Sequence, residues 1–173
     1  SMLSGPLRDR FGHIEKLRYY EADELTEIIT RSAHILNVKI EASAAKKLAG
    51  AARRTPRIAN RLLRRIRDFA EVEYAGVITE KVVEKSLKQM SIDLMGLDRA
   101  DQEYLQTVGH KFGGGPVGLS TIAAAIGEDE NTIEDMIEPF LIREGLMQKT
   151  PRGRVLTDMA LEKIGLEINK KLF

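Results

Sequence analysis

The sequence predicts a mainly α protein, in which a four-helix bundle is followed by a winged helix-turn-helix unit with a small β-hairpin. Residues 1–92 contain four stretches whose apolar side chains recur every three or four positions, as they do on one face of a helix. Residues 93–173 follow the order helix, short helix, helix and two-stranded hairpin, which is the order of the winged variant of helix-turn-helix.

The charges support this division into two units. Residues 1–92 contain 18 Lys and Arg against 12 Asp and Glu, which gives this part a net charge of +6. Residues 93–173 contain 9 against 14, which gives a net charge of −5. The whole chain has a net charge of only +1. Such an asymmetry between halves indicates that the two units have different partners.

Each element of the first unit has its own signal in the sequence. The predicted elements are a loop over 3–12, a short strand over 14–20, and helices over 21–37, 44–52, 56–74 and from Thr79 onward. Acids in the first turn of the first helix suit its dipole. The alanines of the second helix permit close packing, and Ala75-Gly76 ends the third.

The third helix has most of the cations. Seven arginines lie within fifteen residues, with no acid among them: Arg53, Arg54, Arg57, Arg61, Arg64, Arg65 and Arg67. With Thr55 as the N-cap and Pro56 at the first helical position, Arg57 falls in the first turn. A cation there forgoes about 0.3–1 kcal/mol, because that helix end is already partially positive. A phosphate bound at the helix end would explain an arginine at this position. A solvated arginine face, with the aliphatic parts of its side chains lying on the core, explains it equally well.

The second unit reads in the same way. The predicted elements are a linker over 91–98, a helix from Asp98 to about Lys111, a flexible glycine turn over 113–116, a short helix from Ser120 to Gly127, a helix over 129–144, strands over 146–150 and 154–157, and a final helix over 158–170. The glycine turn is not a phosphate loop, because no Gly-Lys-Ser/Thr follows it.

The helix over 129–144 is the one that would enter a DNA groove, but it has six carboxylates and a single Arg143. Six carboxylates against a polyanion have a large Coulomb cost, which disfavours base reading by this helix. The hairpin differs, because Lys149, Arg152 and Arg154 surround its turn. We therefore expect DNA binding through backbone and shape, with little sequence preference. A solvated basic turn and a protein-docking unit are the alternatives.

Composition excludes several other classes of site. The chain has no cysteine, so disulfides and thiolate metal sites are excluded and a reducing cytoplasm is the natural setting. The histidines His13, His34 and His110 share no ligand spacing. No apolar run approaches eighteen residues and no signal peptide is visible. Ser1-Met2 looks like a cloning remnant.

Five motifs together make the chain similar to a known family. They are PLRDRFG at 6–12, RTPRIANRLLRRIRDFAEV at 54–72, GGPVGLSTIAAAIGE at 114–128, TIEDMIEPFLI at 132–142 and TPRGR at 150–154. From Leu3 to about Leu166 the chain resembles the C-terminal two-thirds of the RuvB family, the hexameric motors of Holliday-junction branch migration.

The resemblance implies an AAA+ ATPase whose nucleotide-binding α/β domain precedes residue 1, since Walker A and Walker B motifs are absent from these residues. It implies that 1–13 ends that large domain, that 14–92 is the small helical lid domain, and that 93–173 is the winged-helix DNA-binding domain. ATP with Mg²⁺ would be bound only by the full-length protein, so we expect this chain alone to hold no nucleotide and to be inactive. The implied partners are Holliday-junction and duplex DNA, RuvA and further copies of the chain in a homohexamer, in the bacterial cytoplasm and away from membranes.

The resemblance also implies roles for individual residues. Arg10 matches the arginine finger that acts on a neighbouring subunit's nucleotide, Arg57 matches the sensor-2 arginine, Tyr20 matches a tyrosine on the adenine side of the pocket, and Lys149 and Arg154 match DNA-contacting positions of the wing. Glu130 stands where some relatives have a DNA-contacting arginine, which leaves the wing as the main DNA surface. We expect Arg61, Arg64, Arg65 and Arg67 to be surface and packing residues, and at most one of Tyr19 and Tyr20 to face nucleotide.

A second hypothesis belongs to a different class. The chain could be a non-enzymatic DNA-binding regulator, in which a winged helix is joined to a helical bundle for oligomerisation. Sequence preference separates the two hypotheses, because a regulator discriminates its operator by several kcal/mol and a motor does not.

Overall fold

The computed structural model describes residues 10, 15 and 17–166, and its fold is mainly α, as the sequence predicts. A four-helix bundle comes first. Its helices are α1 (Ala22–Ile35), α2 (Ala42–Gly50), α3 (Pro56–Glu73) and α4 (Glu80–Gln89). At the start of α1 the backbone N–H of Glu21 donates to the carboxylate of Glu24, and at the start of α4 the Thr79 hydroxyl accepts from the N–H of Val82. These caps satisfy backbone donors that a helix end leaves without partners.

The bundle core lies between the inward faces of the four helices. Fully buried members include Leu25, Ile29, Ala44, Ala45, Leu48, Leu63, Ile66 and Val83. The small side chains of Ala44 and Ala45 bring α2 close to its neighbours. The four-three spacing of apolar residues in the sequence therefore predicts the correct faces.

Two short strands join the loops at one end of the bundle. β1 (Lys39–Ile40) pairs in parallel with β2 (Val77–Ile78). The N–H of Glu41 continues the pairing by donating to the carbonyl of Ile78 at 3.0 Å. Neither strand is predicted from the sequence, because two residues are too few to show alternation.

The strand expected over 14–20 is wrong for the described part of that segment. Residues 17–20 form no strand, and their backbone link to the bundle is the Tyr20 N–H, which donates to the carbonyl of Arg54 at 3.2 Å. An extended segment becomes a strand only beside a partner that completes a ladder of such bonds. Residues 14 and 16 lie outside the described residues.

The winged unit follows in the predicted order. Its elements are α5 (Arg99–Gln106), a π-helical turn (Thr107–Lys111), α6 (Leu119–Ile126), α7 (Glu130–Thr132), a second π-helical turn (Ile133–Ile137), α8 (Glu138–Arg143), β3 (Met147–Thr150), β4 (Gly153–Leu156) and α9 (Asp158–Lys163). Asp98 caps α5, as predicted, by accepting from the N–H groups of Ala100 and Asp101. β3 and β4 are antiparallel, with Lys149 opposite Arg154.

The core of the winged unit is separate from that of the bundle. Its buried members include Leu97, Tyr104, Leu105, Val108, Ile122, Ile133, Leu141 and Leu146. They come from the linker, α5, both π-helical turns, α6, α8 and the residue just before β3.

The predicted cap at Ser120 is wrong. Helix α6 begins at Leu119 with Gly118 as its N-cap, so Ser120 lies inside the first turn. Val117 forms a bridge with Arg154 of β4, with backbone hydrogen bonds of 3.0 and 2.8 Å. This tertiary contact therefore sets the start of α6, because the chain stays paired with β4 up to Val117 and can turn into a helix only after it.

The glycine segment is not the flexible turn that the sequence suggested. Gly114 accepts a hydrogen bond from the N–H of Leu156 at 2.8 Å. Gly115 has φ of +93°, and a Cβ at that position would lie 2.2 Å from the carbonyl oxygen of Arg154. The segment therefore packs against β4, and Gly115 is needed for the close approach.

The final helix is also shorter than predicted. Helix α9 ends at Lys163, where the sequence suggested that it continues to 170. Gly165 has φ of +76°, and the N–H of Leu166 donates back to the carbonyl of Leu161 at 2.9 Å. This is the geometry with which a glycine ends a helix. Residues 167–170 lie outside the described residues.

Arg53 joins the two units. It lies in the turn between α2 and α3, and its guanidinium forms an ion pair with Asp98 at 2.9 Å and another with Asp101. Its Nε donates to the carbonyl of Gly96 at 2.7 Å, and its face lies 4.2 Å from the centroid of the Phe140 ring. One side chain of the bundle thus contacts the linker, α5 and α8.

The anion opposite Arg53 is buried. Burial raises the pKa of the Asp101 carboxyl to about 6, while a hydrogen bond from the N–H of Asp98 and the charge of Arg53 oppose this rise. At pH 7 the carboxyl is therefore ionised and balances the guanidinium. Because Asp101 is 1% exposed, water cannot replace Arg53 as its partner.

Arg143 adds a second link between the units. Its guanidinium lies 4.2 Å from the centroid of the Tyr19 ring, and it donates to the carbonyl of Arg53 at 3.4 Å. The linker also packs closely against the bundle, since a Cβ at Gly96 would lie 2.6 Å from the carbonyl oxygen of Ala51.

Within the described residues, no helix has both the length and the apolar character needed to cross a bilayer.

We predict that Arg53→Met lowers the free energy of unfolding by about 3–5 kcal/mol at pH 7, because it leaves the buried carboxylate of Asp101 without its counter-charge. Chemical denaturation by urea measures the change. The matched control is Arg67→Met, whose ion pairs with Asp68 and Glu71 face solvent and whose loss should cost far less.

A change of similar size in both variants would contradict the role given to Arg53. The double variant Arg53→Met with Asp101→Asn separates charge from packing. It should recover part of the loss, because the second substitution removes the buried anion.

Candidate functional site

The first candidate site is the N-terminal end of α3. Thr55 occupies the N-cap position, but its hydroxyl donates to the carbonyl of Arg53 at 2.9 Å and accepts nothing from the helix. The first turn contains no acid. The N–H groups at this end therefore have no side-chain acceptor, and the partial positive charge of the helix end is not balanced by the helix itself.

Arg57 adds a full positive charge at the same place. Its side chain is exposed, and within the part of the chain that the structure describes it has no ion pair or hydrogen bond. The structure therefore leaves Arg57 open to an external anion. No carboxylate among the described residues of the bundle pairs with it, which agrees with the phosphate interpretation of the first-turn cation.

Tyr20 lies next to the turn that precedes α3. Its N–H donates to the carbonyl of Arg54, and its side chain is 42% exposed. The neighbouring Tyr19 is covered on one face by Arg143. Tyr19 therefore serves the contact with the winged unit, although it is 54% exposed. The Tyr20 ring has no aromatic or cation–π contact among the described residues, and both tyrosines line a hollow together with Leu17 and Arg18.

Arg10 is exposed, and it is the only part of the motif over 6–12 that the structure describes. The other residues of that motif lie outside the described residues. The role of Arg10 as an arginine finger therefore stays a prediction.

The second candidate site is the wing, where the structure brings two of the three predicted cations onto acids. Lys149 forms ion pairs with Glu134 at 3.0 Å and with Glu138 at 2.7 Å. Arg154 pairs with the same two residues, at 2.8 Å each. The two cations therefore face the helical run formed by α7, the second π-helical turn and α8, which we call the acidic helix. These ion pairs hold the hairpin against the acidic helix.

Glu138 is the centre of this network. It is fully buried, and besides the two cations it accepts a hydrogen bond from the Tyr104 hydroxyl at 3.2 Å. A buried carboxylate is stable only when its oxygens have such partners. Three elements, α5, α8 and the hairpin, are thus tied to one side chain.

The charges in the network shift one another. Hydrogen bonding to Glu138 raises the pKa of Lys149 and of Arg154, although partial burial opposes this. Lys149 in turn lowers the pKa of the Glu134 carboxyl, which is exposed. Lys149, Arg154 and Glu134 are therefore charged near pH 7.

Arg152 is the cation that the network leaves out. It is exposed in the turn between β3 and β4, and among the described residues it has no ion pair. Arg154 is only 16% exposed, whereas Lys149 is 43% exposed and could share its ammonium group with a second anion. The three predicted DNA contacts are therefore unequal in their access to solvent.

The acidic helix keeps an anionic outer face. Asp129, Glu130 and Asp135 are exposed, and Glu130 has no ion pair in the described residues.

The remaining arginines of α3 differ in their partners. Arg61, Arg64 and Arg65 are exposed on α3, whereas Arg67 pairs with Asp68 at 2.6 Å. No group of acids or histidines among the described residues could hold a metal ion.

Sequence reasoning missed the roles of Arg53, Arg143 and Glu138. For Glu138 a signal was present, since its position between the apolar residues Ile137 and Phe140 places it on or beside the inner face of the helix. For Arg53 and Arg143 the sequence has no comparable signal, because their partners lie far away along the chain.

Comparisons with known proteins agree with this architecture. Residues 20–93 match the family model of the RuvB AAA lid domain, and residues 94–165 match that of the RuvB C-terminal winged helix domain. The solved structure of the Thermotoga maritima RuvB Holliday junction branch migration motor is 42% identical with a TM-score of 0.86, and the alignment covers 96% of this chain and 56% of that one. A mutant of the same Thermotoga protein gives 42% identity, a TM-score of 0.87, and coverage of 96% and 55%. The chain thus spans about half the length of these structures.

We predict that Glu138→Gln destabilises the winged unit by about 3–5 kcal/mol, because it removes a buried anion and leaves Arg154 without its main partner. Urea denaturation at pH 7 measures the change, and amide exchange of β3 and β4 should rise with it. Glu134→Gln is the control and should cost far less, since its ion pairs are screened by solvent. Equal effects of the two substitutions would show that Glu138 does not hold the hairpin.

Proposed function

Because the chain belongs to the RuvB family, we propose that it is the lid and DNA-binding part of an ATP-driven DNA motor that moves Holliday junctions. In this proposal residues 14–92 form the lid, residues 93–173 form the winged DNA-binding domain, and residues 1–13 end the large nucleotide-binding domain. Hydrolysis of ATP with Mg²⁺ requires that large domain, so the chain alone is inactive. The working form is a homohexamer in the bacterial cytoplasm, and RuvA recognises the junction.

The observation that carries the proposal is the open cation at the start of α3. Arg57 is exposed without an internal anion, next to helix N–H groups that have no side-chain acceptor. A guanidinium and a helix N-terminus together bind a phosphate well, because both offer N–H donors to its oxygens. We propose that Arg57 contacts the phosphates of nucleotide in its own subunit.

Two further residues complete the nucleotide-facing surface in this proposal. The open ring of Tyr20 contacts the adenine side of the same nucleotide, which its exposure and its backbone bond to Arg54 support. Arg10 reaches the nucleotide of a neighbouring subunit and stabilises the charge that develops during phosphoryl transfer. ATP is therefore hydrolysed only between subunits.

On the DNA side we propose that Arg152 makes the first backbone contact. Its exposure without an ion pair supports this assignment. Lys149 contributes from its pair with Glu134, while Arg154 acts mainly by holding the hairpin on Glu138. The exposed acids of the outer face disfavour any base contact by the helix, so binding is independent of sequence.

The regulator hypothesis receives less support. A regulator reads bases with its recognition helix, and here that helix presents Asp129, Glu130 and Asp135 to solvent. Binding to a mixed-sequence duplex as tight as to any selected site supports the motor. Discrimination of one site by several kcal/mol would support the regulator.

We predict that Arg57→Ala in the full-length protein lowers ATP-driven migration of a four-way junction by at least about tenfold, because a phosphate contact that couples nucleotide to movement is lost. ATP turnover and junction migration are measured side by side. Arg67→Ala is the matched control, since Arg67 lies on the same helix but pairs with Asp68. If Arg57→Ala and Arg67→Ala both migrate junctions at the wild-type rate, the proposed phosphate contact is wrong.

We predict opposite effects of two substitutions on DNA binding by this chain. Arg152→Ala should lower the slope of log affinity against log salt concentration by about 0.9 for a duplex, the amount for one phosphate contact. Glu134→Gln should raise affinity and steepen the slope, because it removes one of the two acids with which Lys149 and Arg154 each pair. Fluorescence anisotropy of a labelled mixed-sequence duplex measures both.

The control for Glu134→Gln is Glu130→Gln, which removes the same charge from the same helix but frees no cation of the wing. A gain in affinity no larger than that of Glu130→Gln would mean that Glu134 does not compete with DNA. An unchanged slope in Arg152→Ala would remove the wing tip from the DNA surface.

A further inference from the structure

Three arginines on the outer side of α3 form a second basic surface, which we call the arginine face: Arg61, Arg64 and Arg65. All three are exposed, and they lie opposite the buried stripe of the helix, to which Leu62, Leu63 and Ile66 belong. Within the described residues none of the three has an ion pair or a hydrogen bond. They are therefore three free guanidinium groups within little more than one helical turn.

Nearby acids do not neutralise the arginine face. Asp68 lies four positions after Arg64, but it pairs with Arg67 at 2.6 Å. Glu71 lies 3.8 Å from the same Arg67. The two acids that could have reached this face are thus turned to one arginine, and the charge of the other three stays uncompensated.

The arginine face costs the helix stability. Arg57 and Arg61 are four positions apart, as are Arg61 and Arg65, and like charges at that spacing destabilise a helix by about 0.2–0.5 kcal/mol per pair. A helix bears this cost without return unless an external anion is bound. The free face and its internal repulsion therefore both indicate an anionic partner.

We propose that the arginine face is a second DNA-backbone contact, on the lid and separate from the wing. Residues four apart on a helix rise by about 6 Å, so Arg61, Arg64 and Arg65 present three positive charges within a short stretch of α3. Duplex DNA is similarly dense in charge, with one phosphate per about 3.4 Å of axis on each strand. Guanidinium groups also match phosphate oxygens with paired hydrogen bonds.

The composition of the surface favours nucleic acid over a protein partner. The centres of protein–protein interfaces are poor in charge and rich in apolar and aromatic groups. Between Arg61 and Arg65 the outward positions of α3 are arginines, and the exposed apolar residue nearest to them on that side is Val72, two turns away. A backbone-following contact needs only cations and tolerates the absence of apolar side chains.

This inference rests on the proposed DNA binding of the chain but not on the wing, so the two can fail separately. The test uses the triple variant Arg61→Gln, Arg64→Gln and Arg65→Gln in this chain, with anisotropy of a mixed-sequence duplex at several salt concentrations. We expect the salt slope to fall by about 2–3 and the affinity at 0.1 M salt to fall at least about tenfold. Thermal unfolding establishes that the variant is folded, and removal of like charges should leave it at least as stable.

The matched control is Arg67→Gln, on the same helix and with the same change in charge per substitution, but at an arginine that already has its anion. It should change the slope by well under one contact. A triple variant that binds like the wild type, or that loses no more than three times the effect of Arg67→Gln, overturns the inference.

Two other outcomes are informative. If Arg152→Ala weakens binding and the triple variant does not, the wing is the DNA surface and the arginine face is not. If sedimentation shows that the triple variant loses self-association at unchanged DNA affinity, the anion belongs to another copy of the chain, and the DNA contact is likewise wrong.

Discussion

The arrangement of the whole chain depends on the guanidinium of Arg53. It is held between the Phe140 ring on one side and the carboxylates of Asp98 and Asp101 on the other, so a bundle residue has its partners in the winged unit. To reach them, Arg53 and Arg54 both adopt the left-handed backbone conformation, with φ of +50° and +55°. Two such non-glycine residues cost about 1–2 kcal/mol each, which the buried ion pair and the ring contact must offset.

The same turn prepares the nucleotide-facing surface. The carbonyl of Arg53 accepts from the Thr55 hydroxyl, which removes the usual acceptor from the start of α3. The carbonyl of Arg54 binds the backbone of Tyr20. The contact that joins the units therefore also leaves the end of α3 open to an anion and brings an exposed tyrosine beside it.

Two groups of cations among the described residues have different physical roles. Arg53, Lys149 and Arg154 are neutralised by acids of the winged unit, and they hold elements together. Arg57, Arg152 and the arginine face are exposed without ion pairs in the described residues. Since desolvated pairs stabilise a fold and free cations attract polyanions, the first group explains the architecture and the second explains the proposed function.

The sequence predicts the elements of this fold better than their ends and contacts. Apolar spacing finds the helices because the buried face of each one is local information, as at Leu62 and Ile66. The start of α6 escapes it, because the bridge between Val117 and Arg154 sets that position. The end of α9 at Lys163 has a local signal, Gly165 just after a basic last turn, which the predicted helix to 170 overlooked.

The residues of the candidate sites also differ in how far the sequence alone predicts their surroundings. Arg57 and Arg152 are predictable because a first-turn cation and a hairpin tip are local features. The neutralisation of Arg154 is not, because it needs the buried position of Glu138, which only the packed structure provides.

The most direct test of this account is a structure of the full-length hexamer with a bound, slowly hydrolysed ATP analogue. The account predicts that the Arg57 guanidinium lies within hydrogen-bonding distance, about 2.7–3.2 Å, of a phosphate oxygen in its own subunit. An Arg57 that instead pairs with a carboxylate of the large domain, with the nucleotide phosphates contacted by other groups, would contradict it.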